Sequence, residues 1–293
     1  MSTITVVIKK KGGVGATEMA INLILAMIAK GQKPGVAELD QVNRLSSVLG
    51  PDYVNLSIKA TPDLKDQLKT RSALLALCDP MYALAYEHDH VVFDVGANGA
   101  SDIFRSWAEQ SELRYIAKDD GNTFEFVVPI TAENSSLVSG YNEIVENHAL
   151  FGADARYYLV RNDLTGDGFE TMEGQSFWKS IQRLQKEIDL TILDVGHLHS
   201  DLATIGKTRG KSMAQMRQIG KALLDNANNK AGLGTDKDMI ETAKGLGIYD
   251  GQQLQAQKLL ITRQLRDLDK WLNATRKALY PIHGYDPDVQ AAA

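Results

Sequence analysis

The sequence predicts an α/β fold: a doubly wound, mostly parallel sheet in three α/β/α layers, followed by a helical C-terminal region. Three observations predict it. Short runs rich in Val, Ile, Phe and Tyr alternate with helix-period segments over about the first 200 residues. The runs are almost continuously apolar, as strands buried on both faces are. Beyond that point the strand signal stops and helical patterns alone continue.

The elements follow in order. "ITVVIK" (4–9) is the first strand, and the stretch 18–31 the first helix, with Gly31 as its stop. "KPGVAELD" (33–40) is the second strand. "HVVFDVG" (90–96), "TFEFVVPI" (123–130), "ARYYLVRN" (155–162) and "LTILDVG" (190–196) supply the others. Helices are expected over 63–78, 101–113, 135–150 and 176–188. After residue 200, two further helical stretches carry a Gly-rich link between them. The expected organisation is a core over 1–200, a helical region over 201–285 packed on the same domain, and a frayed tail over 286–293.

Composition narrows the function classes. With 44% hydrophobic and 24% charged residues the chain is not globally disordered. A net charge of -5 does not coat nucleic acid, so DNA contact would need a local patch or an adaptor protein. A single cysteine, Cys78, suits a reducing cytoplasm and a small core residue. It also disfavours an iron–sulfur cluster. The N-terminus does not read as a secretory signal, and no apolar stretch approaches the roughly 18 to 20 residues of a membrane span. His88 and His90, and likewise His197 and His199, read as ordinary loop histidines rather than metal ligands.

The chemistry concentrates between the first strand and first helix, in Lys11-Gly12-Gly13-Val14-Gly15-Ala16-Thr17. Glycines let backbone N–H groups approach phosphate oxygens, and the helix that follows adds its positive end. Thr17 stands where a hydroxyl can ligate magnesium. Against the generic pattern G-x-x-x-x-G-K-[ST], Lys10 replaces the first glycine and Ala16 replaces the phosphate lysine. Lys9 and Lys10 are not expected to substitute, since a strand-borne lysine does not easily reach the helix N-terminus. Two acidic strand ends follow, in "VAELDQVNRL" (36–45) and "VVFDVGANGAS" (91–101). Asp94 comes after three apolar residues, so its carboxylate emerges at the strand's C-terminal end.

These three motifs, in this order, resemble the deviant phosphate loop K-G-G-x-G-K-[ST], the following acidic motif and the Walker B strand of the plasmid-partition and septum-site (ParA/MinD-like) P-loop ATPases. "ELDQVNRL" and "FDVGANGAS" are most similar to the conjugation-associated (TraL-like) branch. The resemblance covers about residues 3 to 200 and implies a P-loop NTPase fold. It implies ATP or ADP with Mg2+ bound by Gly12, Gly13, Val14, Gly15, Ala16, Thr17 and Glu18. Magnesium would be held by Thr17, Asp40 and Asp94, and Asp40 would orient the attacking water. Lys11 would reach across a nucleotide-dependent homodimer. Glu38 matches the first acid and Asn43 the later polar residue of the second motif. Asn162 falls where relatives place an asparagine that helps read adenine. Partners implied are a second copy and DNA or a DNA-bound adaptor.

Ala16 removes the charge that neutralises the β- and γ-phosphates, so hydrolysis is expected to be slow or absent. Whether Ala16 is the native residue of a non-hydrolysing scaffold or a replaced lysine stays open at this point. The segment 252–280 carries an apolar seam, Leu254, Ile261, Leu265, Leu268, Leu272 and Leu279. It reads first as a docked amphipathic helix. Sharper readings are a dimer seam, a DNA-facing helix or a transient membrane-surface contact.

Overall fold

The computed structural model describes residues 1–282 other than positions 51, 62, 65–67, 69, 98, 165, 167, 174 and 175. The tail expected over 286–293 lies outside the described residues. The chain divides into two compact units, Met1–Val195 with Arg276–Ala293, and Gly196–Thr275.

In the first unit seven strands form one sheet: β1 (Thr3–Ile8), β2 (Gly35–Asp40), β3 (Leu56–Lys59), β4 (His90–Val95), β5 (Thr123–Ile130), β6 (Ala155–Asn162) and β7 (Leu190–Val195). Their order is β3-β2-β4-β1-β5-β6-β7 and every pairing is parallel. The interleaved helices are α1 (Ala16–Ala29), α2 (Arg44–Leu49), α3 (Arg71–Ala83), α4 (Ala100–Gln110), α5 (Leu113–Asp119), α6 (Asn134–Phe151), α7 (Glu170–Glu173) and α8 (Ser176–Glu187). Together they make the three-layer α/β/α architecture the sequence predicts. β1, β4 and β5 are buried at every position after the first, which is why their sequences are apolar on both faces. Phe104, Trp107, Phe124, Phe126, Phe151 and Tyr157 fill one part of the core, and Cys78 is buried in the same cluster.

β1 sits mid-sheet, with strands added on both sides of it. The crevice at its C-terminal end is therefore the topological switch point, where open α/β sheets bind ligands.

Several expected boundaries shift, each for a local reason. β3 is not among the expected strands; it is a four-residue edge strand with one buried side chain, too short and too exposed to show an apolar run. Of the helix expected over 63–78, positions 65–67 and 69 lie outside the described residues; 71–78 belong to a helix over Arg71–Ala83, capped by the Thr70 hydroxyl at 3.3 Å from Ala73 N. The segment 101–113 is broken at Glu112, whose φ of 56° starts a new helix, α5. α1 ends where expected, with Gly31 at φ 76° and Gly31 N donating to Ile28 O.

The second unit is helical: α9 (Asp201–Thr208), α10 (Met213–Asn228), α11 (Lys237–Gly245), α12 (Gly251–Ala256) and most of α13 (Lys258–Ala278). Ser212 and Gln215 form a capping box on α10, and Asp236 and Asp250 cap α11 and α12. Leu254, Ile261, Leu265, Leu268 and Leu272 are buried together with Leu202, Met216, Leu223 and Ala243. The seam is thus used within this chain's own core. The segment 252–280, expected as one amphipathic helix, falls in two, parted at Gln257. No helix among the described residues is long and apolar enough to cross a membrane.

Candidate functional site

The chain leaves β1 at Ile8 and enters α1 at Ala16 through a turn in which Gly13 and Gly15 take φ of 81° and 86°. A side chain is strained at such angles. Gly15 is the N-cap of α1, and no side chain caps that helix end. The positive end of the helix dipole is therefore left to whatever lies over the turn. A Cβ at Gly15 would overlap the amide nitrogen of Asn162. Asn162, at the end of β6, donates from Nδ2 to the carbonyl of Val14 at 3.0 Å, within the buried interior. Its Oδ1 is buried without a partner. The asparagine expected to read adenine is seated against the turn itself.

Val14, Ala16 and Thr17 are buried, whereas Gly12 and Gly13 are exposed. Glu18 stands in the first turn of α1, where an acid suits the dipole, and its carbonyl accepts from Asn22 Nδ2 at 2.9 Å.

Parallel register places Asp94 level with Val7 on one side and with Glu38 on the other. Carboxylate oxygens of Glu38, Asp40 and Asp94 lie within 4.8 Å of one another. The three do not have equal seats. Glu38 is fully buried and saturated: it accepts from Leu45 N (2.6 Å), Ser46 N (3.2 Å), the Ser46 hydroxyl and the Ser57 hydroxyl (3.1 Å). It thereby serves the uncapped start of α2, where Asn43 takes a left-handed φ of 48°. Asp40 accepts from Gln41 N at 2.6 Å. It approaches Gly96 so closely that a Cβ there would lie 2.5 Å from Asp40 Oδ1. Asp94 is fully buried, and neither of its oxygens has a hydrogen-bond partner.

Burial pushes the Asp94 carboxyl up to about 6. The Lys9 ammonium and the Thr17 hydroxyl pull it down, and the charges of Asp40 and Glu38 push it up. A buried carboxylate with both oxygens unpaired, beside a threonine hydroxyl and a second aspartate, is a fitting donor set for a hard divalent cation. Glu38 belongs to this cluster by distance, but its oxygens are already taken.

Thr17 of the turn lies beside Asp94, whose carboxylate is grouped with that of Asp40. The structure corrects the expectation about Lys9. This residue lies one position beyond β1, and its Nζ reaches to 3.4 Å from Thr17 Oγ1 on the first turn of α1. The turn folds back over the strand end, so a distance that looks prohibitive in sequence is short in space. Lys10 pairs with Glu146 of α6. Lys11 pairs with Glu133 at the start of α6 and donates to Ser135 Oγ at 2.7 Å. Lys9 is a site residue that sequence reasoning does not assign. The available signal is a run of three lysines placed at a strand's end.

No protein-family model and no curated protein matches the chain. Several solved structures are similar to this chain. A plasmid partition protein from Borrelia burgdorferi is 17% identical over 66% of this chain and 88% of its own, with a TM-score of 0.43. An ATP complex of a Cyanothece McdA variant is 13% identical over 85% and 97%, with a TM-score of 0.44. Cobyrinic acid a,c-diamide synthase from Mycobacterium smegmatis, with bound ADP and magnesium, is 14% identical over 62% and 82%, at 0.43. What the site does must follow from this chain's own residues.

Proposed function

We propose that this chain is a nucleotide-binding switch protein of the plasmid-partition and septum-site ATPase kind, serving plasmid or DNA partition or conjugative transfer. The observation that carries the reading is the meeting of a glycine turn and an open helix N-terminus with a buried, unpartnered Asp94. The backbone of 12–18 would hold the phosphates of ATP or ADP. Thr17, Asp94 and Asp40 would hold magnesium, which when bound offsets phosphate charge. Leaving both Asp94 oxygens without a donor costs folding energy, and a ligand that engages them supports keeping that cost.

Ala16 presents a buried methyl group where relatives of this kind carry a lysine. Hydrolysis is accordingly slow or absent, and the chain acts chiefly through its bound state. This feature favours a second reading, a non-hydrolysing scaffold for protein–protein contact. Calorimetry with ATP and magnesium, paired with phosphate release, tests both. Binding with slow turnover supports the switch, binding without turnover the scaffold, and no binding rejects the site.

The nucleotide-bound form would be a cytoplasmic homodimer, with Lys11 released from Glu133 to meet the partner's nucleotide. Light scattering that gives one mass with and without ATP–magnesium in the Ala16→Lys chain would exclude the dimer switch. DNA contact, direct or through an adaptor, would weaken steeply with salt. A membrane contact through 252–280 would have to use the polar face of that segment, since its apolar seam is buried. Sedimentation with anionic vesicles checks it.

A further inference from the structure

Within the reading of the site given under Proposed function, we propose that Lys9 supplies to the bound phosphates the positive charge that Ala16 does not. A phosphate-loop lysine acts as a point charge on a flexible stem, and what matters is where the ammonium sits, not which residue carries it. Three features of this chain converge on Lys9. Position 16 is a buried methyl group and offers no cation. The Lys9 stem leaves the end of β1, and its Nζ comes to 3.4 Å from Thr17 Oγ1, at the open end of α1. The two lysines that follow are engaged elsewhere, Lys10 with Glu146 and Lys11 with Glu133 and Ser135, both directed at α6.

The ammonium of Lys9 therefore lies at the Thr17 hydroxyl and close enough to the Asp94 carboxylate to act on its charge. In the ligand-free chain it offsets part of the buried charge of Asp94. When a triphosphate lies on the turn, the same ammonium is within a side-chain rotation of its oxygens. The lysine has in effect moved from the helix start to the strand end. Such a cation contributes to binding more than to turnover, because it approaches from the strand side and is shared with Asp94.

The test is titration calorimetry of the full chain with ATP and magnesium, comparing wild type with Lys9→Met, Lys9→Arg, Lys10→Met and the double variant Lys9→Met/Ala16→Lys. Lys9→Met should weaken ATP binding by about tenfold or more, Lys9→Arg much less, and Lys10→Met hardly at all. The double variant should recover most of the loss, since a cation returns to the turn from the other side. Circular dichroism melting checks that each variant is folded; if Lys9→Met is not, Lys9→Gln takes its place. Lys9→Met binding as tightly as wild type overturns the proposal. So does an equal loss in Lys10→Met, which would mark a general charge effect, or a double variant no better than Lys9→Met. If wild type itself binds no nucleotide, the reading of the whole site falls, a result distinct from any of these.

Discussion

The ends of β2 and β4 carry two buried carboxylates in the same row of the sheet, and the chain treats them in opposite ways. Glu38 is met by four donors from α2 and β3. Asp94, paired with it across the register, has no well-formed hydrogen bond and only the Thr17 hydroxyl and the Lys9 ammonium nearby. Equal depth and equal charge thus give one group that holds structure together and another whose burial costs stability. The difference teaches where to look for function. A saturated buried acid is explained by the helix it caps, whereas an unsaturated one calls for a ligand.

The largest effect should come from Glu38→Ala. It strands the Leu45 and Ser46 amides and the Ser57 hydroxyl, at about 3–5 kcal/mol in urea denaturation. A loss below about 1 kcal/mol would mean that water or repacking satisfies those donors, and the contrast between the strand ends would shrink.

Asp94→Asn should act with the opposite sign at pH 8, raising stability by about 1–3 kcal/mol while removing magnesium-dependent nucleotide binding. The pH dependence follows from the same group. Its pKa in the fold is about 6, above the 3.8 of a free aspartate. Between those values the folded chain keeps a proton that the unfolded chain releases, so this group's contribution to stability falls as pH rises from about 4 to 6. The Asp94→Asn chain should lack that part of the slope, and a variant less stable than wild type at pH 8 would contradict the unpartnered seat.

Gly96→Ala should cost about 1–3 kcal/mol, since the new methyl must displace the Asp40 carboxylate. Nucleotide binding in magnesium should weaken, with metal-free binding little changed. The smallest effect is expected of Asp40→Asn. Removing its charge should lower the Asp94 midpoint slightly, as read from carboxyl carbon shifts in an NMR titration; an upward movement would mean that Asp40 acts as a partner rather than a repelling neighbour.

The sheet is legible in the sequence because burial on both faces leaves a continuous apolar run, and β1, β2 and β4 announce themselves this way. β3 is not, since "LSIK" at an edge buries one side chain. α11 escapes a reading by apolar period, although Asp236, which caps it, stands in plain view three residues before Met239. The three site segments are legible because each lies at a strand end, and parallel strands bring such ends to one edge. The unequal seats of Glu38 and Asp94 are not, because donors arrive from α2 and Ser57, whose placement depends on tertiary packing. Lys9 is misjudged from sequence for the same reason: spacing gives the length of a turn but not the way it folds back.

The amide of Asn162 joins the end of β6, two strands along the sheet from β1, to the glycine turn through one contact, Nδ2 to Val14 O. That makes a single side chain a natural spectroscopic reporter. Its two amide protons should be slow to exchange and well dispersed in a nitrogen-correlated spectrum of the ligand-free protein. Any anion that settles on residues 12–15 must register there first, without a label or a mutation.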